Sequence, residues 1–207
     1  MRLDASGPAH LPPVAPGLRI GLYGGSFNPA HLGHRHVSLV ALRRLRLDRI
    51  WWMVTPGNPL KDRGELAAID RRVARADRVA DHPRIGVTDF ESRIGAQYTR
   101  QTLRYLTRRN PSVRFVWIMG ADSLATFHRW QGFFEIASLM PIAIIDRPGF
   151  TLTGPAARAA QALARWRIAE ADAPTLANRP APAWIFLHGP RSALSSTALR
   201  AGAKDGA

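Results

Sequence analysis

Apolar residues recur along the chain in two alternating patterns. Short continuous apolar runs, bounded by glycine, proline or charged residues, are typical of strands covered on both faces of a parallel sheet. Six such runs predict strands at 18–25, 49–56, 84–91, 113–120, 141–148 and 183–190. Between them, apolar residues three or four positions apart predict helices at 34–47, 70–81, 98–109, 133–139 and 155–166.

This alternation predicts the fold class. Strands that alternate with helices indicate an α/β protein with a doubly wound, mainly parallel sheet flanked by helices, in a single domain. In such sheets ligands bind beyond the carboxyl ends of the strands, where the strand order reverses. Residues 18–207 are predicted to form this domain. Residues 1–17 are rich in proline and lack a periodic pattern, which predicts a flexible tail.

Composition excludes several classes of protein. The 207 residues include no cysteine, so thiol catalysis and a cysteine zinc site are excluded. No apolar run approaches the roughly 20 residues that span a bilayer, and the first 17 residues lack the apolar segment of a signal peptide. We therefore predict a cytoplasmic protein that does not partner a membrane.

The net charge of +14 predicts a surface that attracts phosphate groups. One alternative is a nucleic-acid-binding module. The basic residues, however, are nearly all arginines scattered along the chain, and aromatic residues are not interleaved with them. This distribution is typical of arginines on solvated faces, and it favours that interpretation over a nucleic-acid-binding surface.

The loop after the first predicted strand, GGSFNPAHLGH, carries the first candidate chemistry. Gly24 and Gly25 lack side chains, so a ligand phosphate can approach the main chain closely. His31 and His34 are three residues apart at the start of the next helix, so their imidazoles share one face.

Three interpretations of the two histidines remain open from the residues alone. Their N–H groups, together with the helix N-terminus, could stabilise a transferring phosphoryl group. They could bind zinc with His36, although no acidic residue lies nearby. Alternatively, His31 caps the helix and His34 packs in the core.

Two separated motifs resemble the signatures of the nucleotidyltransferase superfamily. GGSFNPAHLGH is similar to its G-x-F-x-P-x-H-x-G-H signature, and ALSSTALR, at 193–200, is similar to its I-S-S-T-x-[IL]-R signature. Between them, the segments TPGNPLK, YTRQTL, MGADSLATFHRW and DRPG resemble blocks of the bacterial nicotinate-nucleotide adenylyltransferases. The resemblance extends from residue 18 to residue 200, and it implies a Rossmann-like fold.

The resemblance implies an enzyme that joins ATP to nicotinate mononucleotide, giving deamido-NAD and pyrophosphate without a covalent enzyme intermediate. Mg²⁺ would bind through the phosphates of ATP, with no direct protein ligand. Another acceptor, such as nicotinamide mononucleotide or phosphopantetheine, is the alternative. A monomer and a homodimer both fit the sequence.

The resemblance also implies roles for individual residues. His34, with His31, would donate to the α-phosphate. The nucleotide and its phosphates would be held by Gly24, Gly25, Ser26, Phe27, Lys61, Ser195, Ser196, Thr197 and Arg200. The alternatives are a solvated loop position for Lys61 and an ordinary capped helix for the serine-rich segment.

Three further residues complete the predicted site. Asp122 would accept from ribose hydroxyls or hold metal-bound water, with a helix N-cap as the alternative. Trp130 would stack on the pyridine ring, with Thr99 and main-chain amides near its carboxylate, or Trp130 would be plain core. The remaining tryptophans are assigned to packing: Trp51, Trp52, Trp117, Trp166 and Trp184.

Overall fold

The computed structural model describes residues 11–57, 66–147, 151 and 154–189. The six strands of this part are β1 (Arg19–Gly25), β2 (Arg49–Val54), β3 (Ile85–Thr88), β4 (Arg114–Gly120), β5 (Ile142–Ile145) and β6 (Trp184–Leu187). Its α-helices are α1 (Leu32–Arg44), α2 (Ile69–Ala80), α3 (Phe90–Arg93), α4 (Thr99–Arg109), α5 (Ala121–Phe127), α6 (Phe133–Leu139) and α7 (Arg158–Ala162). Two 3₁₀ helices follow α7, at Ala164–Trp166 and Glu170–Asn178.

The strands form one sheet in the order β3-β2-β1-β4-β5-β6, and every neighbouring pair is parallel. The predicted fold class is confirmed. The order reverses at β1, which pairs with β2 on one side and with β4 on the other. This reversal opens a crevice at the carboxyl ends of β1 and β4, where ligands of such sheets bind.

Each face of the sheet carries its own hydrophobic core, because consecutive strand residues point to opposite faces. The neighbours Trp51 and Trp52 show this alternation, since Trp51 belongs to one core and Trp52 to the other. The indole of Trp52 donates a hydrogen bond to Ser38 Oγ of α1 over 2.7 Å. That bond satisfies two buried polar groups and fixes α1 against the sheet.

Some predicted elements differ from those observed. The short helices α3 and α5 and the 3₁₀ helix Glu170–Asn178 were not predicted. α3 has only four residues, and α5 begins directly where β4 ends, so neither has a periodic pattern of its own. The helix predicted at 155–166 is divided into α7 and a 3₁₀ turn.

Residues 11–17, which the sequence assigned to a flexible tail, lie against the body of the protein. Leu11 packs on the core, and Pro12 lies so close to Gly86 that a Cβ there would be 2.9 Å from the proline. The Gly17 N–H donates to the carbonyl of Ser112. These contacts arise from apolar residues too few to form a pattern. The domain boundary at residue 18 stays a prediction.

Within the described ranges, none of the helices combines the length and the apolar character that crossing a membrane requires.

Candidate active site

A cavity of about 470 Å³ opens at the carboxyl ends of β1, β2 and β4. It lies at the reversal of strand order, as the fold class predicts. Residues from eight segments of the chain line it: Gly24–Ser26, Thr55–Gly57, Glu91, Ala96–Thr99, Trp117, Ser123, Arg129–Gln131 and Ile136. Among the residues predicted to bind ligand, Gly24, Gly25, Ser26, Thr99 and Trp130 are brought together here.

Two tryptophans contribute to the cavity wall. The rings of Trp117 and Trp130 meet edge to face, with centroids 6.4 Å apart. Trp117 was assigned to packing alone, but it also lines the cavity. A Cβ on Gly24 would lie 2.6 Å from Cη2 of Trp117, so this close approach requires glycine. The sequence could not reveal this contact, because β1 and β4 become neighbours only in the folded sheet.

The N-terminus of α4 supplies a positive end to the same cavity. The amides of the first turn of a helix have no acceptor within it, and their dipoles favour an anion. Gln97, Tyr98 and Thr99 line the cavity at this point, and Arg129 lines it from the segment after α5. The amides of Gln97 and Tyr98, however, already donate to the side chain of Gln101, over 2.9 and 3.1 Å.

The two histidines of the glycine-rich loop begin α1. His31 is its N-cap, and Nδ1 of His31 accepts from the N–H of Gly33 over 3.1 Å. Nδ1 of His34 accepts in turn from the N–H of His31 over 3.2 Å. Since a neutral imidazole carries one proton, these bonds place the proton of both rings on Nε2. The capping interpretation is therefore realised, and it leaves both Nε2–H groups as donors.

Both imidazoles are neutral near pH 7. Burial lowers the pKa of His31 to about 4, and the positive charge of Arg147 acts in the same direction. Burial lowers the pKa of His34 well below its usual value, with further contributions from His31 and Arg147. The rings lie 4.0 Å apart between centroids. Nε2 of His31 is buried and has no partner among the described residues.

Arg147 links these histidines to two other polar groups. Its guanidinium donates to the hydroxyl of Tyr23 over 3.2 Å and to Asp122 Oδ2 over 3.4 Å. We call Tyr23, His31, His34, Asp122 and Arg147 the histidine–arginine cluster. Arg147 was not predicted as a site residue. Its position two residues after β5, at the carboxyl edge of the sheet, is the signal that could have identified it.

The cavity and the histidine–arginine cluster adjoin at two points. Tyr23 of the cluster precedes Gly24 of the cavity on β1, and Asp122 of the cluster precedes Ser123 of the cavity on α5. His31, His34 and Asp122 do not themselves line the cavity. The geometry can therefore hold an apolar ring on one side and phosphate groups on the other.

Asp122 is not a helix N-cap, which was the alternative to its predicted role in binding ribose or metal-bound water. Gly120 is the N-cap of α5, and Asp122 lies in the first helical turn. Its Oδ1 is buried without a partner in the part of the chain that the structure describes. This unpaired oxygen fits a hydrogen-bond donor brought by a ligand or by metal-bound water.

Phe27 lies beneath the loop rather than at its surface. It adopts a left-handed backbone with φ of 46°, and its ring is buried between Trp52 and His34, at centroid distances of 5.0 and 4.8 Å. The side chain of Phe27, which was predicted to contact the nucleotide, therefore supports His34 and does not face the cavity.

Arg72 of α2 fixes the floor of the site. It is buried, and its guanidinium donates to the carbonyls of Ser26, Thr55 and Ala67, each over 2.8 Å. Ser26 and Thr55 line the cavity. One cation thus joins the loop after β1 to the loop after β2. Nothing in the sequence distinguishes Arg72 from the many other arginines, so its role was not predicted.

Lys61, Ser195, Ser196, Thr197 and Arg200 lie outside the described residues. Their predicted contacts with phosphate groups stay predictions.

The fold and the site together define a nucleotide-binding α/β protein. A family model described as Cytidylyltransferase-like matches residues 22–202. The chain therefore belongs to the cytidylyltransferase-like family.

Curated relatives are closely similar over nearly their whole length. A probable nicotinate-nucleotide adenylyltransferase of Methylorubrum extorquens is 73% identical over 183 residues, which are 88% of this chain and 99% of that protein. A protein of the same name from Agrobacterium fabrum is 58% identical over 181 residues, 87% of this chain and 97% of its own. The resemblance drawn from the motifs is confirmed.

The architecture is also found in a solved structure. Plasmodium falciparum nicotinic acid mononucleotide adenylyltransferase complexed with NaAD superposes with a TM-score of 0.66 at 18% identity, covering 89% of this chain and 83% of that chain. At this identity the likeness concerns the fold.

We predict that Arg72→Met lowers the free energy of unfolding by about 2–4 kcal/mol, because three carbonyls lose a charged donor whose own side chain is buried. Urea denaturation followed by circular dichroism measures this change. Arg71→Met, at the exposed neighbouring position, is the matched control and should change stability by less than about 0.5 kcal/mol. Equal stability of the two variants would contradict the bracing role of Arg72.

Proposed function

We propose that this enzyme transfers the adenylyl group of ATP to nicotinate mononucleotide, giving deamido-NAD and pyrophosphate. The names of the relatives support this reaction. The observation that carries it is the adjoining of a tryptophan-lined cavity and the histidine–arginine cluster, through Tyr23–Gly24 and Asp122–Ser123. A substrate with a flat ring at one end and a phosphate at the other fits this arrangement.

The cavity would take the pyridine end of the mononucleotide. Trp130, and with it Trp117, offers aromatic surface for the ring. The N-terminus of α4 at Thr99, together with Arg129, would attract the carboxylate of nicotinate. Nicotinamide lacks this charge, so such a site would favour the acid.

The reaction itself needs no protein nucleophile. A phosphate oxygen of the mononucleotide attacks the α-phosphorus of ATP in line. The new P–O bond forms as the bond from the α-phosphorus to the bridging oxygen breaks, and pyrophosphate leaves with that electron pair. The barrier lies in bringing anions together and in stabilising the charge of the transition state.

Residues of the histidine–arginine cluster would lower this barrier. His34 and His31 would donate Nε2–H to oxygens of the α-phosphate, because their Nδ1 atoms already accept from the main chain. Both rings are neutral, so they would stabilise charge by hydrogen bonding and Arg147 would supply the full positive charge. Because both rings belong to the start of α1, the helix would hold these donors in place before the phosphates bind.

ATP would enter as its magnesium complex. In the described ranges, no three His, Cys, Asp or Glu side chains group around one point, so we place the cation on the triphosphate. Asp122, whose Oδ1 is buried and unpaired there, would hold metal-bound water or a ribose hydroxyl. The main chain of Gly24, Gly25 and Ser26 would approach the nucleotide. The phosphate contacts proposed from the sequence are those of Lys61, Ser195, Ser196, Thr197 and Arg200.

The acceptor is tested by incubating the protein with ATP, Mg²⁺ and each candidate in turn, and measuring pyrophosphate release. We expect the fastest release with nicotinate mononucleotide. Equal rates with nicotinamide mononucleotide would refute the proposed preference for the acid. Turnover of phosphopantetheine alone would show that the acceptor is not a pyridine nucleotide. Silence with all three, together with salt-sensitive RNA binding, would favour a nucleic-acid-binding module. The cytoplasmic location and the oligomeric state stay predictions.

Replacing His34 tests the role of its donor. His34→Ala should lower kcat roughly 10²–10³-fold, since one transition-state hydrogen bond is lost. It should also destabilise α1, because the ring completes the N-terminal cap. His34→Gln can place an amide nitrogen near the Nε2 position and should regain part of the rate. His36→Ala on the same helix is the control, and a rate as low as that of His34→Ala would refute a specific role for His34.

Replacing Trp130 separates stacking from packing. Trp130→Ala should raise KM for nicotinate mononucleotide roughly 10–100-fold, because a stacked ring contributes about 1–3 kcal/mol, and should leave KM for ATP nearly unchanged. Steady-state kinetics with each substrate varied measures both. Trp166→Ala is the control, since Trp166 lies under Arg165 and does not line the cavity. Unchanged KM values in Trp130→Ala would assign Trp130 to the core.

A further inference from the structure

The cavity contains one acidic wall residue that the proposed reaction does not use. Glu91 of α3 lines the cavity and is buried, with 5% of its surface exposed. Its Oε1 accepts a hydrogen bond from the hydroxyl of Thr102 over 2.9 Å. Among the described residues, no cation pairs with this carboxyl group. A buried carboxylate without a cation is costly, so the position requires an explanation.

Glu91 lies on the same wall as the proposed carboxylate subsite. Its partner Thr102 is on α4, one turn after Thr99, so residues 99 and 102 share a face of that helix. Thr99 lines the cavity beside Gln97 and Tyr98. Glu91 therefore lies in the part of the cavity where the carboxylate of an incoming nicotinate would meet the N-terminus of α4.

We propose that Glu91 determines specificity between the acid and the amide of the pyridine ring, admitting nicotinate mononucleotide when its carboxyl is neutral and disfavouring it when ionised. This proposal rests on the proposed function. Two carboxylates in a cavity largely screened from water repel each other, whereas a neutral carboxyl does not. An ionised Glu91 can instead accept a hydrogen bond from the N–H₂ group of nicotinamide.

The ionisation of Glu91 falls in the physiological range. Burial raises the pKa of Glu91 to about 7, although the hydrogen bond from Thr102 acts in the opposite direction. The carboxyl is therefore largely neutral below pH 7 and largely ionised above it. A bound nicotinate carboxylate would raise this pKa further, so binding of the acid would take up a proton.

The charged groups around Glu91 are mostly paired with one another. On α3 itself, Arg93 pairs with Asp89 over 2.8 Å. Arg100 of α4 pairs with Glu135 of α6. Beside Glu91, β2 places the apolar Trp51 and Met53 in the same core. Among the described residues, the cavity wall also carries the titratable or charged side chains of Tyr98 and Arg129, and Tyr105 of α4 packs against Phe90, next to Glu91. The histidine–arginine cluster adjoins the same cavity through Tyr23 and Asp122.

The test compares kcat/KM for nicotinate and nicotinamide mononucleotides between pH 5.5 and 8.5, in the wild type and in Glu91→Gln. Both substrates carry the same phosphate, so its titration cancels in the ratio. We expect the acid-to-amide ratio of the wild type to fall about tenfold as pH rises through 7. In Glu91→Gln the ratio should be independent of pH and should stay at the high value at pH 8.

A second variant protects the test against a folding defect. Thr102→Val removes the hydrogen bond that favours the ionised form, so the midpoint of the change should move to higher pH. Glu135→Gln removes a carboxylate that is paired with Arg100 and Arg104, and it should leave the wild-type profile unchanged.

Several outcomes would overturn the proposal. A flat ratio in the wild type would refute it, and so would a pH dependence that survives in Glu91→Gln or a midpoint that does not move in Thr102→Val. These results differ from failure of the proposed function, in which neither pyridine nucleotide would release pyrophosphate from ATP at any pH.

Discussion

Two hydrogen bonds at the start of α1 determine the chemistry of the site. Nδ1 of His31 accepts from the N–H of Gly33, and Nδ1 of His34 accepts from the N–H of His31. They provide acceptors for the amides of His31 and Gly33 at the helix N-terminus, and at the same time they fix the tautomers of both rings. The structural and the chemical interpretations of these histidines are therefore compatible, because one nitrogen of each ring caps the helix and the other remains a donor.

The sheet places that pair beside a second, different environment. Because the strand order reverses at β1, the loop after β1 has β2 and its loop on one side and the end of β4 on the other. Gly24 permits Trp117 to approach the loop, and Arg72 joins the loop to the chain after β2. The aromatic cavity and the polar cluster are thus connected by consecutive residues. A substrate with a ring at one end and a phosphate at the other needs both environments side by side.

The charge of the site depends on a few buried groups and not on the net charge of the chain. Arg72 and Arg147 are fixed by hydrogen bonds within the fold, and their charges are less screened than those of surface arginines. The charge of Arg147 helps to keep the histidines neutral. Glu91 is the corresponding buried acid. None of these three roles can be derived from the count of basic residues.

The sequence by itself determined the alternation of strands and helices, the parallel sheet and the family, because buried strands are continuous apolar runs and the motif residues are local. It also identified Trp130 and Thr99, which the fold brings into one cavity. Only the tertiary structure decided that Phe27 supports His34, that Trp117 forms a wall, and that Arg72, Arg147 and Glu91 belong to the site. Each of these depends on contacts between segments far apart in the chain, and a local pattern carries no information about such contacts.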